Sequence, residues 1–220
     1  RPILILLAAS IAIEVYTLCA TTFLSVFKGD EIVAYFSNSA KAVEITRTMI
    51  AAVCAVFLPR LNYYIGQKRI DDFNNLSIMG LRLLMSMSVP AAIILAVLAP
   101  NFVLVLFGSA YLPSVTSMQI LSLSVITVAI SNFMGYQILI SLGKEKIVLY
   151  STIIAALVNI TLNLILIGPM GHNGAALASV TAEAAVSLYQ LHYVCKYVPL
   201  KYSSNTVCSI AVPAVAMLGI

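Results

Sequence analysis

Apolar residues run along this chain in long blocks, and within the blocks polar residues return at steps of three and four. Blocks over about 3–27, 32–59, 76–99, 112–142, 147–167 and 173–196 each hold enough residues to cross a hydrocarbon core about 30 Å thick as a helix. A further block occupies about 205–220. The pattern predicts an all-α, polytopic membrane helix bundle of six to seven transmembrane helices. The run FVLVLF (102–107) is too short to cross and is expected at the interface. Pro59, Pro100 and Pro113 fall at span ends, Gly143 follows the fourth span as a C-cap, and Pro90 is expected to kink the third. Gly80, Gly135 and the small run GAALAS (174–179) would let helices approach closely.

The polar positions form stripes. In the first span Ser10, Glu14, Thr17, Thr21 and Ser25 share one helical face. The second carries Ser37, Lys41, Glu44 and Thr48 along one side, with Arg47 one step around. Asn159 and Asn163 are one turn apart in the fifth, and Ser179, Glu183, Ser187 and Gln190 line the sixth. By helix rise, Glu14 lies about 16 Å, Asn159 about 18 Å and Glu183 about 15 Å from their span ends, while Glu44 and Arg47 fall near mid-span. A charge at that depth costs at least about 2.5–3.5 kcal/mol unless paired or wet. A hydrated cavity or an internal ion-pair cluster would satisfy it. The alternatives stay open residue by residue. The asparagines could serve as interhelical hydrogen-bond glue, Glu183 as a structural pair, and Lys41 as a snorkelling cation. Arg82 reads as an interfacial anchor, and Tyr63, Tyr64, Tyr111, Tyr197 and Tyr202 as an aromatic belt.

Composition agrees with this class. The chain is 61% hydrophobic and 9% charged, too little charge to cover a water-soluble domain. The net charge of +4 does not point to nucleic acid, because its distribution sets topology instead. Lys and Arg concentrate in every second loop: Arg60, Lys68 and Arg69, then Lys144 and Lys146, then Lys196 and Lys201. Those loops are expected in the cytoplasm, with the first span leaving from that side. No signal peptide is visible, and the chain reads as a fragment with sequence missing at both ends.

Chemistry for an enzyme is missing. His172 and His192 are the two histidines, and the topology sets them at opposite ends of the bundle. Cys19, Cys54, Cys195 and Cys208 show no ligand spacing and read as small packing residues. No phosphate-binding glycine loop or metal-ligand spacing occurs. The chain reads as a transporter rather than an enzyme, powered by a gradient or another protein.

Three segments carry a resemblance. LAPNFVLVLFGSAYLPS, GYQILISLGKEK and NITLNLILIGPMGHNGAALASVTAE, with LPRLNYYIG upstream, resemble in order and spacing the C-terminal half of Wzx-like polysaccharide (O-antigen or exopolysaccharide) flippases. These belong to the multidrug/oligosaccharidyl-lipid/polysaccharide exporter superfamily. The resemblance implies one lobe of a two-lobe exporter, working by alternating access in the bacterial cytoplasmic (inner) membrane beside an N-terminal lobe. The implied substrate is an undecaprenyl-pyrophosphate-linked oligosaccharide, with membrane lipid and polysaccharide polymerase machinery as further partners. Arg47 and Lys41, with Glu44 beside them, are the candidates for the diphosphate. Related exporters hold a cation in this lobe. Position by position, Glu14, Asn159, Asn163 and Ser179 or Thr181 match, so Na⁺ at Glu14, Asn159 and Asn163 is implied, or H⁺ on Glu14 or Glu183. Where Asn163 stands some relatives carry an aspartate, so the site here is less charged. Rival readings are a cation-coupled multidrug exporter, a peptidoglycan-precursor flippase, and, from another class, a membrane polysaccharide polymerase or ligase.

Overall fold

The computed structural model describes residues 2–198, with side chains from Leu4 onward. The block at 205–220, with Cys208, and Lys201 and Tyr202 lie outside the described residues. The chain folds as helices α1 (Pro2–Lys28), α2 (Asp30–Ala55), α3 (Leu58–Gly66), α4 (Ile70–Val97), α5 (Ala99–Phe107), α6 (Ser114–Asn132), α7 (Glu145–Met170) and α8 (His172–Tyr197). A 3₁₀ turn at Ser109–Tyr111 precedes α6, and a π-helical segment, Phe133–Leu139, continues it. Helix ends carry charges that complement the backbone dipole: Asp30 and Glu31 open α2, Asp71 and Asp72 open α4, and Lys28 closes α1.

Five stretches among the described residues are long and apolar enough to cross a membrane: Leu4–Lys28, Asp30–Gly66, Ile70–Val97, Ser114–Leu139 and Glu145–Met170. The second departs from the expected end near 59. Its helix bends at Val56–Phe57 and runs on as α3, because Pro59 removes one backbone donor without forcing the chain out of helical angles. FVLVLF lies in α5, with Val103 buried and Val105 exposed. Helix α8 is as long as α7 but less apolar, and is not among the five. Its polar and small positions are buried against α6 and α7: Ala175, Ala178, Ala182, Ser187 and Gln190.

Helix α6 occupies the centre, packed by α8, α2 and α4. It can do so because its inner positions are small. Ser114, Ser117, Ser122 and Ser124 are fully buried. Most of these hydroxyls bond back to their own chain, as Ser114 does to the Tyr111 carbonyl (2.6 Å) and Ser122 to that of Gln119 (2.6 Å). Neighbouring helices are stitched to this centre by side chain–backbone bonds. Ser39 of α2 donates to the Ser114 carbonyl at 2.8 Å, and Ser187 of α8 to that of Thr127 at 2.7 Å. Each such bond in a membrane protein is worth about 0.6 kcal/mol on average.

The α7–α8 hairpin turns on a single residue. Gly171 has φ +55°, a conformation that side-chained residues rarely adopt, and Gly174 sits so close that a Cβ there would lie 2.3 Å from the Leu166 carbonyl oxygen. At this turn His172 Nδ1 lies 2.6 Å from Ser117 Oγ, which donates to Asn173 Oδ1 at 2.8 Å. A hydroxyl has one proton to give, so the ring nitrogen is the donor in the first contact. The Tyr35 ring meets the imidazole edge-on at 5.7 Å.

Burial pushes the His172 pKa below its ordinary 6.5, against a smaller opposing effect of Asn173. The folded state therefore binds fewer protons here than the unfolded one. This part of the stability should be complete above pH 6.5 and decline as pH falls below it. Thermal unfolding of the purified protein from pH 8 down to 5 checks this: the midpoint should drop less for His172→Gln than for the wild type.

Candidate functional site

The polar stripe of α1 faces away from the lobe interior. Its buried side is Ala9, Tyr16, Ala20 and Leu24, packed chiefly on α7. The small alanines bring the two backbones together, which turns the opposite face, with Glu14 and Thr17, outward. Thr17 and Thr21 satisfy themselves on the carbonyls of Ile13 and Leu18, both at 2.9 Å. Glu14 is exposed and has no hydrogen-bond or ion-pair partner among the described residues.

Helix α2 divides its charges. Lys41 and Glu44 are exposed, while Arg47 turns inward with its side chain 19% exposed against 61% for Glu44. Arg47 Nη1 donates to Glu44 Oε2 at 3.3 Å, and Nη2 donates to Ser124 of α6. Its Nε–H is buried with no partner. The guanidinium lies at a shallow crevice between α2 and α6, lined by Ile50, Ala51, Val125, Val128, Ala129 and Asn132. Glu183 of α8 is half-buried within Coulombic range of Arg47 and Glu44, and accepts a hydrogen bond from the buried Tyr16 hydroxyl at 3.2 Å. Tyr136, from the π-helical segment, lies near the same carboxylate. Four elements thus converge on one ion cluster.

The asparagines sit elsewhere. Asn159 and Asn163 are 1% and 0% exposed. Asn163 Nδ2 donates to Asn159 Oδ1 at 2.7 Å, and Asn163 Oδ1 is buried without a donor. Ser179 and Thr181 bond to the carbonyls of Ala175 (2.9 Å) and Leu177 (2.8 Å). In this conformation Glu14 is not bonded to the asparagine pair, so the three oxygens expected to hold Na⁺ do not form one closed ligand set. Among them Asn163 Oδ1 is the buried acceptor without a donor.

The candidates therefore fall into three groups. Arg47 and Glu183 share the cluster, with the exposed Glu44 at its edge. Asn159 and Asn163 pair in the packed interior. Glu14, Lys41 and Thr181 open to the lobe surface, as does the half-buried Ser179 in part. Exposed apolar residues occur on every long helix at the surface, among them Ile11 and Leu18 on α1, Met49 on α2, Leu83 on α4 and Leu157 on α7. Sequence reasoning missed Tyr16, Ser124 and Tyr136. A lone tyrosine deep in an apolar span was the available signal for Tyr16. For Ser124, one serine among many on α6, there was none.

The fold is similar to one lobe of solved membrane transporters. It matches an outward-facing multidrug-resistance MATE family transporter of the MOP superfamily with a TM-score of 0.79, at 18% identity over 87% of this chain and 43% of that one. It matches a superfamily transporter from Pyrococcus furiosus, whose binding pocket is described as reversed in polarity, with a TM-score of 0.78, at 17% identity over 87% and 43%. A third likeness is to a MATE protein in the bent conformation, with a TM-score of 0.75, at 20% identity over 88% and 43%. The chain spans less than half the length of these transporters. No curated protein matches it in sequence. Residues 3–220 match the family described as Lipid II flippase MurJ, and the chain belongs to that family. It is a multi-pass membrane protein of a transporter family, and its fold is that of one lobe of the MATE transporters.

Removing the Tyr16 hydroxyl leaves a half-buried carboxylate short of a donor. Tyr16→Phe should lower unfolding stability by about 1–3 kcal/mol, whereas Glu14→Gln, at an exposed and unbonded position, should change it by less than about 0.5 kcal/mol. Equilibrium unfolding in detergent separates the two.

Proposed function

We propose that this chain is one lobe of a flippase that moves a polyprenyl-diphosphate-linked saccharide across the bacterial cytoplasmic membrane by alternating access with an N-terminal lobe. The observation that carries the reading is the Arg47 site. A guanidinium is held inside the lobe by a neutral hydroxyl and one exposed carboxylate, with one N–H unpaired. A diphosphate offers several charged oxygens, and Arg binds such groups through paired hydrogen bonds. In this reading Glu44 holds Arg47 until the diphosphate displaces it, and Lys41, on the same exposed face, adds a second positive charge. A cationic drug would meet repulsion there, which weighs against the multidrug reading.

Membership of a family described as a lipid II flippase favours the peptidoglycan precursor as cargo. An O-antigen or exopolysaccharide unit, delivered to polymerase machinery, is the second reading. It rests on the motif order in LAPNFVLVLFGSAYLPS and NITLNLILIGPMGHNGAALASVTAE. Ion coupling belongs to the same proposal. Glu14, Asn159, Asn163, Ser179, Thr181 and Glu183 supply oxygens on α1, α7 and α8, and the unpaired Asn163 Oδ1 is an acceptor that a cation could use.

Full-length protein in liposomes should translocate an undecaprenyl-diphosphate-linked saccharide. Arg47→Ala should weaken its binding by about 30-fold or more, corresponding to the roughly 2–5 kcal/mol of a truncated charge pair, with unchanged expression. Equal binding and transport by Arg47→Ala would remove Arg47 from the substrate site. Rescue of cells depleted of their lipid II flippase, against rescue of cells lacking an O-antigen flippase, separates the two cargoes. Glu14→Gln should abolish any dependence of transport on Na⁺ or pH. Unchanged dependence would end its coupling role.

A further inference from the structure

Two helices of the lobe lose regular α geometry, and they do so at the same level. Helix α2 is interrupted at Val56–Phe57, where the Phe57 N–H bonds back three residues to Cys54 (3.1 Å) and Pro59 has no N–H for the Ala55 carbonyl. Helix α6 changes to π geometry at Phe133 and stays in it through Leu139. Measured from the level where Ser39 of α2 bonds the Ser114 carbonyl of α6, the breaks lie about 26 Å down α2 and about 29 Å down α6, both at the basic end of the bundle. Such π insertions are rare inside α-helices and frequent at functional sites.

The two breaks touch. The Phe57 and Phe133 rings meet edge to face, with centroids 5.4 Å apart. Phe133 is fully buried, and its tip fills a notch made by Gly80 of α4, where a Cβ would lie 2.3 Å from Phe133 Cζ. On its other side the π segment leaves room at Gly135 for the Gln190 side chain of α8, 3.0 Å from where a Cβ would stand. Helix α3 packs on this segment and on α4.

The same end collects unpaired polar atoms. Asn74 Oδ1 at the start of α4, Gln137 Oε1 in the π segment and Gln190 Oε1 on α8 are buried without donors. Native structures leave few such atoms, and each costs about 1–3 kcal/mol. All three lie near the π segment, and a rearrangement there would open new partners to them.

We infer that the Pro59 break and the π segment form one paired hinge, joined by Phe57 and Phe133 and indexed by the Gly80 notch, through which α3 and the end of α6 swing as a gate at the basic end of the lobe. Sheared helix pairs move between discrete packings because close-packed interfaces are bistable. An aromatic ring lodged in a glycine notch has that character, seated or withdrawn. Only the consequence for transport rests on the flippase reading. The motion itself does not.

Pro59→Ala tests the hinge, because it restores the missing donor and lets α2 and α3 run as one helix. In full-length protein, spin labels at Gln67→Cys and Ala110→Cys report the separation of the exposed tip of α3 from the opposite end. The buried Cys54 is kept, and Cys19, Cys195 and Cys208 are replaced. The wild type should show two distance populations differing by several ångström. Pro59→Ala should show one, with an unchanged or higher unfolding midpoint and transport reduced several-fold. A merely structural proline would not pair gained stability with lost transport. Gly80→Ala should also reduce transport, and adding Phe133→Leu, which withdraws the ring tip, should restore it. A single narrow distance common to wild type and Pro59→Ala would overturn the hinge, as would a Gly80→Ala/Phe133→Leu pair no better than Gly80→Ala. If the wild type shows both populations but moves no lipid-linked saccharide, the hinge stands and the flippase reading falls.

Discussion

Everything in this lobe depends on putting a polar helix in the middle of an apolar bundle without leaving its polar atoms stranded. Helix α6 solves this with serine. The side chain is small enough for α2, α4 and α8 to pack close to it, and its hydroxyl can return its proton to the preceding turn. Larger polar residues would hold the neighbours off, and alanine would leave Arg47 without its interior oxygen. The serine-lined surface therefore supports both the packing and the ion cluster.

That double use explains how the cluster is built. Arg47 reaches α6 across 77 residues of chain, and Tyr16 reaches Glu183 across 167. Neither contact is local, so each holds only while α1, α2, α6 and α8 keep their mutual spacing. Membrane helices gain little from hiding apolar surface from one another, since lipid is as apolar as leucine, and rely on close contact and interhelical hydrogen bonds instead. Within the lobe the Tyr16 hydroxyl then bonds the Glu183 carboxylate, and the Ser124 hydroxyl and Glu44 carboxylate bond the Arg47 guanidinium.

Much of the architecture was legible from the residues. Long apolar blocks with proline, glycine and basic residues between them mark helix ends because each acts on its own turn of backbone. The direction in which a helix faces was less legible. Spacing of three and four shows that Ser10, Glu14 and Thr17 share a face, but not that Ala9, Tyr16 and Ala20 would win the interior. In a bilayer the buried face is chosen by size as much as by polarity. The same limit applies to partners: Asn159 and Asn163 could be paired from their one-turn spacing, whereas Ser124 had no mark that set it apart. The continuation of α2 as α3 was hidden because Pro59 reads as a stop, although here it bends the helix without ending it.

The α7–α8 hairpin bears on how the chain reaches the bilayer. During synthesis each emerging segment partitions between the translocon channel and lipid according to its own apolarity. Helix α7 meets that demand unaided and α8 does not. Their connection through Gly171 alone leaves α8 no slack to wait in water after α7 has entered. In the folded lobe the two lie as one hairpin, the more apolar α7 beside the more polar α8, joined where Gly174 packs against Leu166.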